Sequence, residues 1–121
     1  ARLSVMRDER EKRANRYSRL LSDPSALAPA PGVRSAWGTY LIRRPDRDAV
    51  RSRLLRAGFE SRVEYPTSLA DNPSLAPLGL RSADYPVAQA AAQQGLCLPT
   101  RPSLSMASVD RIAEIVGRLG R

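Results

Sequence analysis

Trp37-Gly38-Thr39-Tyr40-Leu41-Ile42-Arg43, followed by Pro45-Asp46-Arg47-Asp48, reads as a strand that runs straight into a helix. Over 36–43 aromatic and branched side chains alternate. Trp37, Thr39 and Leu41 fall on one face, Tyr40 and Ile42 on the other. Asp46 is a candidate cap for a helix over 47–57, in which Val50, Leu54 and Ala57 share the buried side. Gly58 then suits the position just past the helix end, where the backbone turns left-handed. A second strand is expected over 59–65. If the two strands are parallel, the strand–helix–strand crossover is right-handed.

Downstream, residues 66–83 carry Pro66, Pro73, Pro77 and Gly79, which predicts an irregular stretch with at most a short helix. Residues 84–94 form an Ala/Gln helix with Pro86 in its first turn and Gly95 after it. Leu96–Leu98 is a short strand ended by Pro99. Ser105 or Ser108 caps a last helix, whose Val109, Ile112, Ala113 and Val116 repeat at i, i+3, i+4, i+7.

Upstream, residues 5–22 predict a charged helix with a thin apolar stripe at Met6, Ala14, Tyr17, Leu20 and Leu21. Asp8–Lys12 and Glu9–Arg13 are spaced as i,i+4 ion pairs. Asp23-Pro24 should stop this helix, and 24–35 read as an extended connector. The expected organisation is therefore 1–35 as a basic linking helix with a Pro-rich connector, and 36–121 as a small domain. Its class is α+β with two layers: a short sheet, helices on one side, and a strand–helix–strand core.

Composition narrows the function. The 121 residues suffice for one modest core, which with 5% aromatics must be aliphatic. No apolar run reaches membrane-spanning length, and no signal peptide is visible. The single cysteine, Cys97, excludes an internal disulfide, fits a reducing cytoplasm, and reads as a buried inert thiol. There is no histidine, hence neither the commonest general base nor a metal-ligand spacing. Phosphate-loop, dinucleotide and nucleophile-elbow motifs are also missing. Residues 1–56 hold 14 basic and 6 acidic side chains and residues 57–121 hold 6 of each, so the net charge of +8 belongs to the first part.

Taken in order, the motifs of 37–48, Gly58-Phe59, Tyr65-Pro66, Tyr85-Pro86-Val87-Ala88, Leu96-Cys97-Leu98-Pro99 and Pro102-Ser103-Leu104 resemble the C-terminal small domain of the DegT/DnrJ/StrS family, the pyridoxal-phosphate (PLP) sugar aminotransferases. The helix ending Arg13-Ala14-Asn15-Arg16-Tyr17-Ser18-Arg19-Leu20-Leu21 is similar to that family's linking helix. The resemblance implies the fold-type I aminotransferase fold, in which a large domain binds PLP and supplies the Schiff-base lysine. It also implies a dimer with active sites near the subunit interface, and amino transfer from glutamate or glutamine to a keto sugar, usually nucleotide-linked.

Within that resemblance the substrate-facing candidates are Arg62, Glu64 and Tyr65. No catalytic, cofactor-binding or metal-binding residue is expected in this chain. The only lysine, Lys12, lies in the charged run Glu11-Lys12-Arg13 and has no apolar pocket to make it a Schiff-base group. PLP is then bound by a larger domain or subunit, and the chain alone neither binds it nor transaminates. Glu64 stands where many members carry His or Tyr, Ser68-Leu69-Ala70 where they carry Pro-Leu-His, and Gly38 where they carry His. A stand-alone interaction module that binds and modulates a catalytic homologue is therefore a second reading. The basic first helix offers a third, nucleic-acid binding, opposed by the acidic residues in the same turns. A start at Ala1 fits a truncated or processed product.

Overall fold

The computed structural model describes residues 2–22 and 29–117. Its elements are α1 (Arg2–Leu21), β1 (Tyr40–Arg43), α2 (Arg47–Arg56), α3 (Pro86–Gln94), β2 (Gly95–Leu98) and α4 (Met106–Gly117), with three short 3-10 turns between α2 and α3. The α+β, two-layer reading holds. The stop assigned to Asp23-Pro24, and the first part of the connector, lie outside the described residues.

The sheet is antiparallel. Tyr40 pairs with Leu98, Leu41 with Cys97, Ile42 with Leu96 and Arg43 with Gly95. Its register sends Tyr40, Ile42, Leu96 and Leu98 to one face, where all four are buried with Ala14 and Tyr17 of α1, Val50 and Leu54 of α2, and the α4 stripe. Strand alternation sends Leu41 and Cys97 to the opposite face.

Two strand expectations are corrected. The segment 59–65 is not a strand: only Arg62 pairs, across a single bridge to Cys97, through Arg62 N–H to Cys97 O (3.1 Å) and Cys97 N–H to Arg62 O (2.8 Å). β2 therefore lies between β1 and this bridge, so the two ends of the strand–helix unit are not neighbours. The first strand begins at Tyr40, not 36. Trp37 has φ +47 and bends the chain, so it does not share a face with Thr39 and Leu41. It packs on the core instead, stacked at 5.8 Å on Tyr40, and its carbonyl accepts from the Thr100 hydroxyl at 2.7 Å.

The ends of α2 are half as expected. Gly58 N–H donates to Leu55 O and Phe59 N–H to Leu54 O, closing the helix with Gly58 at φ +82. Phe59 then packs on the core. Asp46 precedes the helix without a side-chain cap bond; its carboxylate takes two bonds from Arg44, at 2.9 and 3.2 Å, which hold its pKa below the usual carboxylate value. Ala57 is exposed rather than buried. On α4 the cap is Ser105, whose Oγ accepts from Ser108 N–H at 3.1 Å, and the whole expected stripe is buried.

Helix α1 starts at Arg2 and packs chiefly along α4. Its Glu9–Arg13 pair forms at 3.0 Å, but Lys12 pairs with Glu9 (2.6 Å) rather than with Asp8, which instead meets Arg34 at 3.2 Å. Arg13, expected only as a surface cation, is buried. It binds Leu104 O and Pro102 O across the gap to the loop before α4.

Candidate substrate-facing site

The face of the sheet opposite the core is not filled. Helix α3 borders it with Ala88, Ala91 and Ala92, side chains too short to reach across. The helix is set close by Gly95, where an added Cβ would come 2.9 Å from Ala91 O. Arg47 helps hold α3 there, donating from Nη1 to Ala92 O at 2.6 Å near the helix C-terminus, where a cation also suits the helix dipole. What remains is an apolar groove of about 570 Å³, floored by Thr39, Leu41 and Cys97 and closed on the far side by Glu64, Tyr65, Thr67 and Leu69.

A smaller polar cleft of about 250 Å³ lies beside it, sharing Thr39 and Cys97 and lined further by Gly38, Glu60, Ser61, Arg62 and Arg101. The chain crosses from one to the other as it leaves the bridge at Arg62. All three candidate residues therefore stand at this junction: Arg62 on the cleft, Glu64 and Tyr65 on the groove. Arg62 Nη2 pairs with Glu64 Oε1 at 3.3 Å, both side chains largely in solvent, and Tyr65 is 80% exposed. None of the three is spent on the core. Two of the positions that depart from the family pattern converge here as well: Gly38 lines the cleft, and Ser68 and Leu69 line the groove.

The groove itself was not legible beforehand. The available signal was the run Ala90-Ala91-Ala92, with Ala88, on a helix that faces a sheet: short side chains facing a sheet leave space. The polar members Glu60, Ser61 and Arg101 were also missed; no local pattern marks them.

Cys97 sits under both openings yet is 4% exposed. Burial pushes its thiol above the ordinary range, opposed in smaller part by the Thr39 hydroxyl. The thiolate is the nucleophile, so iodoacetamide at pH 8 should alkylate the folded chain at least about tenfold more slowly than the urea-unfolded chain. Mass-detected alkylation at equal rates would contradict this placement. The sign for stability follows: the raised folded pKa leaves the contribution complete below the unfolded value of about 8.5, and it declines as pH rises beyond that.

Lys12 does not fit a PLP anchor. Its ammonium is 66% exposed, paired with Glu9 on α1, and lines neither opening. Among the described residues no group of three or more His, Cys, Asp or Glu could hold a metal, and no helix is long and apolar enough to cross a membrane.

Comparison with known proteins agrees with this architecture. The erythromycin biosynthesis sensory transduction protein EryC1 of Saccharopolyspora erythraea is 34% identical over 82% of this chain and 28% of its own length. The UDP-2-acetamido-2-deoxy-3-oxo-D-glucuronate aminotransferase of Pseudomonas aeruginosa is 31% identical over 92% of this chain and 32% of its own. Among solved structures, the PLP form of Spr1654 from Streptococcus pneumoniae superposes with a TM-score of 0.83 at 25% identity, over 95% of this chain and 31% of that one. The chain thus spans about a third of the length of these relatives. A sequence model of the DegT/DnrJ/EryC1/StrS aminotransferase family matches residues 1–117. With the sheet, the flanking helices and the motif order all accounted for by that match, the chain belongs to the DegT/DnrJ/EryC1/StrS aminotransferase family.

Proposed function

We propose that this chain is the small domain, or a split subunit, of a PLP-dependent aminotransferase acting on a keto sugar, nucleotide-linked, with glutamate or glutamine as amino donor. The observation that carries the reading is the family match across residues 1–117 of a chain only about a third as long as its relatives. The printed activity of the Pseudomonas relative supports a nucleotide-linked sugar. PLP, when bound by the larger domain or subunit, supplies an electron sink for the amino transfer.

This chain's part is to close over the site and contact substrate. Arg62 offers guanidinium donors to substrate oxygens. Glu64 offers a carboxylate to sugar hydroxyls, and Tyr65 a phenol with an apolar face against the sugar ring. The working assembly is a dimer, and the chain alone performs no transamination. Against nucleic-acid binding, many cations near α1 are already matched: Arg16 with Asp110, Arg34 with Asp8 and Glu11, Lys12 and Arg13 with Glu9.

The alternative of a regulatory module without catalysis draws on the printed name of EryC1 and on the absence of histidine at the substrate-facing positions. One experiment separates the two. The chain is co-purified from its native source and the visible spectrum of the intact complex is recorded. A larger polypeptide with a PLP absorbance band that bleaches on adding glutamate or glutamine is the expected result. A colourless 13.3 kDa protein running alone would sink the enzyme reading.

A further inference from the structure

Exposed apolar side chains are not spread evenly over this molecule. Tyr65 (80%), Leu69 (71%), Leu78 (66%), Leu80 (37%), Tyr85 (47%) and Val87 (75%) all fall within residues 65–87. In the same segment the only buried residue is Ser68. The stretch therefore contributes nothing to the core, while it walls the apolar groove at Tyr65, Thr67 and Leu69.

Something other than apolar burial must hold it in shape. Asp71 Oδ2 accepts from Ser68 Oγ (2.8 Å) and from Ser82 Oγ (2.9 Å), tying the two ends of the irregular region together. Asn72 Oδ1 accepts from Ser74 N–H, and Gly79 makes a left-handed turn at φ +65. Pro66, Pro73, Pro77 and Pro86 restrict the backbone further. The surface is thus presented in advance rather than formed on contact, which lowers the ordering cost of binding.

Its charge is nearly silent. The segment has three ionisable acids and bases besides its tyrosines. Asp71 is held by the two serines, and Arg81 and Asp84 pair with each other at 2.9 Å. This contrasts with the arginine-rich α1 and α2. A contiguous apolar patch beside an apolar groove marks an interaction site, and the chemistry that complements it is apolar and uncharged.

We infer that residues 65–87 and the adjoining groove are the face on which the larger, PLP-binding part of the enzyme docks. The inference rests on the function proposed above. The choice of occupant rests on length: about two-thirds of a relative's chain has no counterpart in these 121 residues.

The test is hydrogen exchange read by mass spectrometry, on the chain alone and on the same chain within its native assembly. It is paired with the double variant Leu69→Arg/Val87→Arg. Amides of 65–87 should exchange at least about tenfold more slowly in the assembly, while those of α4 stay unchanged. The double variant should retain the melting temperature of the isolated chain, because both side chains are exposed, yet lose at least about a hundredfold in affinity for the larger part. Raising salt from about 0.1 to about 1 M should not release the partner. A PLP-containing partner retained at full yield by the double variant, or equal exchange in both states, overturns this docking face and leaves the functional proposal standing. Protection of 65–87 by self-association of the isolated chain assigns the face to a second copy and also overturns it. The absence of any larger partner, with 65–87 open, overturns both.

Discussion

Arg13→Ala is expected to destabilise the chain by about 3–4 kcal/mol, read as a shift in the urea midpoint at unchanged slope. The guanidinium is 7% exposed and donates to four acceptors: Leu104 O at 2.8 Å, Pro102 O at 2.5 Å, Glu9 O at 2.6 Å and Glu9 Oε2 at 3.0 Å. Its planar fork spans from α1 to the loop that feeds α4. Truncation leaves the carbonyls of Pro102 and Leu104 facing a gap without a donor, and an unsatisfied buried acceptor costs about 1–3 kcal/mol. Arg13→Lys keeps the charge but not the fork, so it should recover no more than about half of the loss. A change below about 1 kcal/mol for the alanine variant would show that water or relaxation replaces these bonds.

Ile112→Ala should cost a similar amount, about 3–4 kcal/mol, by a different route. Ile112 is fully buried on α4, the helix that packs on both α1 and α2. Removing its outer carbons opens a cavity that neighbours on two sides cannot both collapse into. Leu55→Ala is the control: that side chain is 69% exposed on α2, and its loss should stay within about 0.5 kcal/mol. Either large loss is a sizeable share of the roughly 5–15 kcal/mol typical of a whole domain. Because Arg13 and Ile112 support the same α1–α4 contact, the double variant should depart from additivity by at least about 0.5 kcal/mol.

These two residues also mark the limit of what a linear reading reveals. Ile112 is legible because its partners in the pattern, Val109, Ala113 and Val116, lie within one or two turns, and helical periodicity alone places them on one face. Arg13 is not, because its decisive acceptors lie 89 and 91 residues away. In the sequence it is one cation in a run of charged residues.

The strands divide in the same way. Leu96–Leu98 and Tyr40–Ile42 were readable as apolar strands. Residues 59–65 have similar composition yet pair only at Arg62, since a strand exists only where a partner offers free backbone groups. At the candidate site, Arg62, Glu64 and Tyr65 are neighbours in sequence, so their meeting needs no fold. The groove beside them needs β1, β2 and α3 brought to one place.

Sequence by itself determined the features that local rules control. These are the four helices, the serine cap of α4, the glycine exit of α2, the short strands, and the motif order by which the family is recognised. Only the tertiary structure decided the burial of Arg13, the bend at Trp37, the single bridge at Arg62 and the open apolar face lined by Tyr65, Leu69 and Ala88. Each of these depends on atoms brought together from distant parts of the chain, and contacts at long sequence separation leave no periodic trace in the residues that make them.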